Sequence, residues 1–278
     1  MGFAARGRLW GTTLVSAIHW GLLAVAVWTI AWTGDRWWLP RHFVDSAWYA
    51  AAIVSLCPFL SVLGARLPGA KVWSLFVILP CLAVFGWPIA AAAWTSSRLQ
   101  VETPLVLGFL LVLVMGTGNY LGTRLTGPVT LTTVAIAVSE LTAVGWIRPF
   151  TPQALLLLRQ AAICGFTTAA YWAWRITRPK PEPLYPDPLD PLWHSFLQTF
   201  GIVWSLRVVE AFNDRAVRER KPIRLSWDGF HAVSSEQAFL SDAARAALRE
   251  WQQQTFCTFL KRFVDHDWIA RRCRTNNS

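Results

Sequence analysis

The chain has 278 residues, 54% of them hydrophobic and only 15% charged, and carries a net charge of +10. Soluble domains average about 25% charged residues, so this composition argues against an ordinary soluble domain and for a membrane protein. It also argues against nucleic-acid binding, the usual reading of so basic a chain, because much of the excess lies in short loops where positive charge sets membrane orientation.

Residues 1–178 hold four acidic groups, Asp35, Asp45, Glu102 and Glu140, against twelve Arg and Lys, and thirteen of the eighteen tryptophans. Tryptophan at that density fits the aromatic belts found at headgroup level. Six apolar windows follow in chain order, about 9–33, 45–64, 72–95, 105–122, 128–147 and 154–175. Each is near the ~20 residues that a helix needs to cross the hydrocarbon. The first window begins after Arg6 and Arg8 and contains Ala24-Val25-Ala26, which resembles a signal-peptidase site. Its apolar run is longer than a signal-peptide core and is read as an uncleaved anchor. The windows end at Gly34-Asp35-Arg36, Gly64-Ala65-Arg66, Ser96-Ser97-Arg98, Thr123-Arg124 and Arg148-Pro149, which are interfacial stops.

With the N-terminus inside, the inner loops carry Arg6, Arg8, Arg66, Lys71, Arg124, Arg175, Arg178 and Lys180, and the outer loops carry Arg36, Arg41, Arg98 and Arg148. The inner excess of basic residues predicts that both termini are cytoplasmic. Nearly all basic side chains are Arg, a composition that suggests a bacterial inner-membrane protein.

Residues 179–191 contain six prolines and three acids and are expected to form a stiff linker. Residues 192–278 then read as a basic, amphipathic, mostly helical cytoplasmic domain. Leu192, Trp193, Phe196, Leu197, Phe200, Val203, Trp204, Val208 and Phe212 recur at helical spacing. Pro222–Trp227 alternates like a strand and stops at the turn pair Asp228-Gly229. A second helix is expected from Ser234, capped by Ser234 and Gln237, with an apolar stripe through Leu240, Ala244, Ala247, Leu248, Trp251, Phe259, Leu260 and Phe263. The fold expected is therefore an all-α membrane protein, a six-helix transmembrane bundle (1–178) with a small C-terminal domain.

Ionisable residues inside a bilayer are costly and often functional, which singles out Glu140, Arg159 and His19. Counted from the connection between the fifth and sixth windows, Glu140 and Arg159 stand at similar depths, and the spacing predicts that they pair. His19 reads as a hydrogen-bonded packing residue or as part of a polar pathway with Glu140. Cys57, Cys81 and Cys164 are candidate soft metal ligands at one depth, while cysteine also serves as a small apolar packing residue. Gly118 and Gly122 give a GxxxG helix-packing face with Asn119 as an interhelical hydrogen-bonding group. Arg215, Arg218, Arg220 and Lys221 form a basic group suited to anionic lipid headgroups, or an ordinary solvated face. Asp265-His266-Asp267 reads as a solvated helix end.

The sequence contains no Walker A, GxSxG or HExxH pattern and implies no cofactor. The leading expectation is a non-enzymatic scaffold or accessory subunit whose partners are the bilayer and either another protein or a second copy of the chain. A small transporter or channel using Glu140, Arg159 and His19 is the alternative, and a membrane-embedded enzyme or metal/redox protein the third.

Overall fold

A computed structural model describes residues 11–66, 70–95, 97–148, 151–177, 187–233 and 241–274. They divide into two compact units, one of residues 14–177 and one of residues 187–274 joined by residues 11–13. Most of the linker expected at 179–191 and the capping pair Ser234 and Gln237 lie outside the described residues.

The first unit is helical throughout. Helix α1 (Val15–Thr33) runs into a π-helical turn (Gly34–Trp38) and is followed by α2 (Arg41–Val54) and α3 (Leu56–Leu63). Next come α4 (Ala70–Trp73), a second π-helical turn (Ser74–Ile78) and α5 (Leu79–Thr95). Helices α6 (Thr103–Gly118), α7 (Thr126–Ala143) and α8 (Pro152–Ile176) complete it. Four stretches are long and apolar enough to cross a membrane: Val15–Trp38, Phe43–Leu63, Ser74–Thr95 and Pro152–Ile176.

Prolines account for the interruptions. Pro58 has no N–H to give the preceding turn and its ring crowds that turn's carbonyl, and the α2/α3 break falls just before it. There the Ser55 hydroxyl donates to the Ala51 carbonyl (2.8 Å) and accepts the Trp28 indole N–H (2.8 Å). The second π-helical turn likewise precedes Pro80. Near Pro88, the buried Tyr49 hydroxyl donates to the Phe85 carbonyl (3.0 Å).

The interior is apolar, as in a soluble protein, but much of the outside is apolar too. Trp48, Tyr49, Leu56, Phe109 and Ile136 fill the interior, while Leu22, Ile30, Phe76, Trp94, Val114 and Leu157 are exposed. An apolar rim of that extent is stable only against an apolar solvent. Helix α7, rich in Thr and Ser, packs against α2, α6 and α8, and Thr133 on it shares a hydrogen bond with Thr117 of α6 (2.6 Å).

The second unit is built on α9 (Asp190–Arg218), kinked at Gly201. An antiparallel hairpin follows, β1 (Ile223–Ser226) and β2 (Gly229–Ala232), with Arg224 opposite His231 and Leu225 opposite Phe230. Helices α10 (Asp242–Leu260) and α11 (His266–Arg274) close the unit. Its core is aromatic. Phe196 and Phe200 stack at 4.7 Å and both meet Phe263 edge-on, while Phe230 packs between Phe212 and Phe256.

Polar anchors fix the hairpin to α9. The Asn213 amide donates to the Leu225 carbonyl (2.9 Å) and accepts its N–H (2.8 Å), as a neighbouring strand would. The buried Asp190 carboxylate accepts the Phe230 N–H (2.9 Å) and occupies the space that a Cβ on Gly229 would need. Burial pushes the Asp190 carboxyl above the ordinary carboxylate range, opposed by these backbone hydrogen bonds.

Residues 11–13 complete the unit. Thr12 pairs antiparallel with Val264, the Thr13 N–H donates to the Phe263 carbonyl (2.9 Å) and the Asp265 N–H donates to the Gly11 carbonyl (2.7 Å). The Asp265 carboxylate accepts the Trp268 N–H (2.8 Å), so Asp265 caps the start of α11.

Three expectations need correction here. The strand from Pro222 has a partner, β2, which the sequence reading did not assign. Helix α10 starts at Asp242 with Ser241 as its cap. Its buried positions are Leu248, Gln252, Thr255, Phe256 and Leu260, whereas Ala244 and Ala247 are exposed. Alanine gains little from burial, so its periodicity is a poor guide to a helix face.

Gly201 holds φ 79° and ψ −173°, a backbone region that only glycine occupies without strain. Gly201→Ala is expected to destabilise the second unit by about 1–3 kcal/mol. Limited proteolysis of the full chain in detergent checks this, with faster cleavage within residues 187–274 and unchanged resistance within residues 14–177.

Candidate functional site

The structure does not pair Arg159 with Glu140. Arg159, 5% exposed in the second turn of α8, donates from Nη1 to Asp35 Oδ2 (3.1 Å) and from Nη2 to Asp45 Oδ1 (2.6 Å). The Trp48 indole N–H donates to the same Asp35 oxygen (3.0 Å), and the Trp48 ring centroid lies 5.3 Å from the guanidinium carbon. One cation thus joins the end of α1, the start of α2 and the start of α8.

The expected pairing fails for a local reason. Depth along the last two windows leaves Asp35 and Asp45 out of account, and the π-helical turn and the start of α2 carry both into helical backbone beside α8. Two carboxylates then compete with Glu140 for one guanidinium, and a planar fork of donors suits two acceptors. Helix α7 also ends at Ala143, with Gly145 at φ 77° in the turn beyond it, so Glu140 sits in the last turn of its helix.

Glu140 is 0% exposed, and neither carboxyl oxygen has a hydrogen-bond partner among the described residues. The neighbouring Ser139 hydroxyl is also buried without a partner. Tyr49 lies close enough to interact electrostatically with Glu140, but its hydroxyl proton is directed to Phe85.

His19 belongs to neither arrangement. It is exposed in the second turn of α1, sixteen residues before Asp35, or ~24 Å of helix. Its exposure leaves it outside the packed interior, and it makes no hydrogen bond to Glu140.

The GxxxG reading also fails. Helix α6 stops at Gly118, and Gly122 lies beyond it at φ 73° in a turn. No heavy atom comes within 4 Å of a Cβ built on either glycine. Close packing falls instead on Gly116, where a Cβ would come within 2.7 Å of the Phe59 ring of α3. Asn119 is buried beside the turn.

Among the cysteines, Cys57 is buried, Cys81 half-buried and Cys164 exposed on α8, so Cys164 does not face the interior with Cys57. Among the described residues no group of three His, Cys, Asp or Glu side chains is placed to hold a metal ion.

In the second unit, Arg215 pairs with Glu219 (2.8 Å) and the Lys221 ammonium lies 5.7 Å from the Trp251 ring centroid. Hydrogen bonds from Arg215 and Trp251 hold the Glu219 carboxyl below its ordinary range. Arg218 and Arg220 are exposed. Half of the basic group is therefore engaged locally and half faces solvent. An open groove of about 760 Å³ runs between α10 and α11, with Glu250, Gln254, Lys261 and His266 along it.

Comparison with known protein families, with curated proteins and with solved structures finds no match to this chain.

Removing the Arg159 side chain leaves two carboxylates facing each other. Arg159→Gln is expected to cost about 3–5 kcal/mol of stability, with part recovered by adding Asp35→Asn. Glu140→Gln should add to Arg159→Gln with a coupling under about 0.5 kcal/mol. Thermal unfolding of the four variants in one detergent measures both terms, and a large Glu140–Arg159 coupling would contradict the geometry.

Proposed function

We propose that the chain is a membrane-anchored scaffold or accessory subunit, in which a six-span helical unit holds a folded, basic domain at the cytoplasmic face of a bacterial inner membrane to bind a protein partner or the lipid surface. The observation that carries this reading is the composition of the second unit. Residues 11–13 and 187–274 form one body with its own aromatic core, and chain leads directly from residues 11–13 into α1.

That connectivity supports an even number of crossings, since the chain leaves the second unit at Thr13 and returns to it after Ile176. Six crossings require α6 and α7 as spans. At ~1.5 Å per residue their 16 and 18 residues give roughly 24 and 27 Å. Both fall a little short of a ~30 Å hydrocarbon core, a mismatch that local thinning or flanking turns accommodate. The basic inner loops support a cytoplasmic second unit. The groove between α10 and α11 has mixed charge and supports a polar protein partner, and the free Arg218 and Arg220 support lipid headgroups.

A small transporter or channel is the second reading. With Arg159 held in an ion triad and His19 on the outer surface, it rests on Glu140 alone.

Two measurements test the proposal. Single cysteines replacing Arg98 or Arg148 are expected to react with an impermeant maleimide in intact cells, and one replacing Arg218 only after permeabilisation. Reaction of all three from outside would sink the topology. A photo-crosslinker at Gln254 is expected to trap one protein partner in cells, whereas one at Leu157 traps lipid only. Crosslinking to lipid alone at Gln254 and at Arg218 would leave lipid binding as the domain's role, and no adduct at either would refute the scaffold.

A further inference from the structure

Glu140 is the one buried acid of the first unit to which the described residues offer no compensation. Asp35 and Asp45 share Arg159, whereas both oxygens of Glu140 lack a donor. Three elements pack against α7. On the described part of α2 the titratable groups are Asp45, held by Arg159, and Tyr49, whose proton goes to Phe85. On α8 they are Arg159, committed to the two aspartates, and Cys164, Tyr171 and Arg175, all three exposed, with Arg175 in the last turn at the far end of the helix from Arg159. Helix α6 has no titratable side chain.

An ionised carboxylate in such a place carries a solvation penalty of several kcal/mol with no cation or donor to offset it. The position adds to that penalty. Glu140 stands in the last turn of α7, where the outward-facing carbonyls make the local potential negative. A neutral carboxylic acid meets neither objection and is the state compatible with an apolar, partnerless enclosure. The Ser139 hydroxyl, on the preceding residue, is likewise buried without a hydrogen-bond partner among the described residues.

We propose that Glu140 is a proton-binding site in the interior of the first unit, occupied as the neutral acid and emptied only when water or a cation reaches the carboxyl. The bound species is a proton and not a metal ion, because the three-ligand clusters that a metal needs are missing among the described residues. This goes beyond the anchoring role and does not depend on what the second unit binds. Loss of a proton here creates an uncompensated charge against Tyr49, so the charged form requires hydration or rearrangement of the α2–α7 contact.

Infrared spectroscopy of the full-length protein in phosphatidylcholine nanodiscs at neutral pH provides the test. Exposed carboxylates are ionised under those conditions, so a neutral-acid carbonyl band reports a buried acid. The expected result is such a band that Glu140→Gln removes, Glu140→Asp shifts in frequency and Asp190→Asn leaves in place. Deuterium should downshift it slowly. A wild-type protein with no Glu140-dependent neutral-acid band overturns the proposal. Loss of the band in sodium but not in choline buffer also overturns it and assigns the carboxylate to sodium. Glu140→Asp keeps the test decisive if Glu140→Gln fails to fold.

Discussion

The arrangement of the first unit depends on where one guanidinium goes. Arg159 is the only basic side chain well inside α8, and in an apolar solvent it has to be met by carboxylates or remain prohibitively costly. Asp35 and Asp45 meet it together, and in doing so they draw the C-terminal end of α1 and the N-terminal end of α2 onto the first turns of α8. Trp48 reinforces the junction by donating to Asp35 and lying beside the cation. Trp28 then stacks on Phe166 and meets Trp48 edge-on, carrying the packing about two turns deeper along α1 and α8. Helix α7 fits between α2 and α8, and Glu140 is buried there as a consequence of contacts it does not share.

The apolar elements were legible because they obey a rule of length and composition that tolerates little local detail. All six windows contain helices, four of them long enough to cross a membrane, and the aromatic spacing from Leu192 to Phe212 found α9. The hairpin was half visible, since alternation marked β1 but two short, mixed strands look alike only once their register is known.

Polar partners were less legible. The Glu140–Arg159 pairing was inferred from depth alone, and depth leaves open which way a side chain faces. Asp35 and Asp45 lie at that end of the helices, but at window boundaries, where depth along the fifth and sixth windows alone does not bring them into view. Gly116 shows the same limit. Small-residue spacing picked out Gly118 and Gly122, yet close approach depends on the neighbour, here the Phe59 ring. The N-terminal segment left no signal at all in its own sequence, because a pairing as short as Thr12 with Val264 consists of backbone hydrogen bonds that any side chains allow.

That pairing has a consequence for biosynthesis. Residues 11–13 are made about 250 residues ahead of their partners at 263–265. The segment must therefore wait, unpaired, while all the intervening chain is synthesised. Closing so long a loop costs only slightly more entropy than closing a short one, since the cost grows with the logarithm of its length. The pairing requires residues 11–13 and 263–265 to lie on the same side of any bilayer that the helices between them cross, which ties completion of the second unit to an even number of crossings.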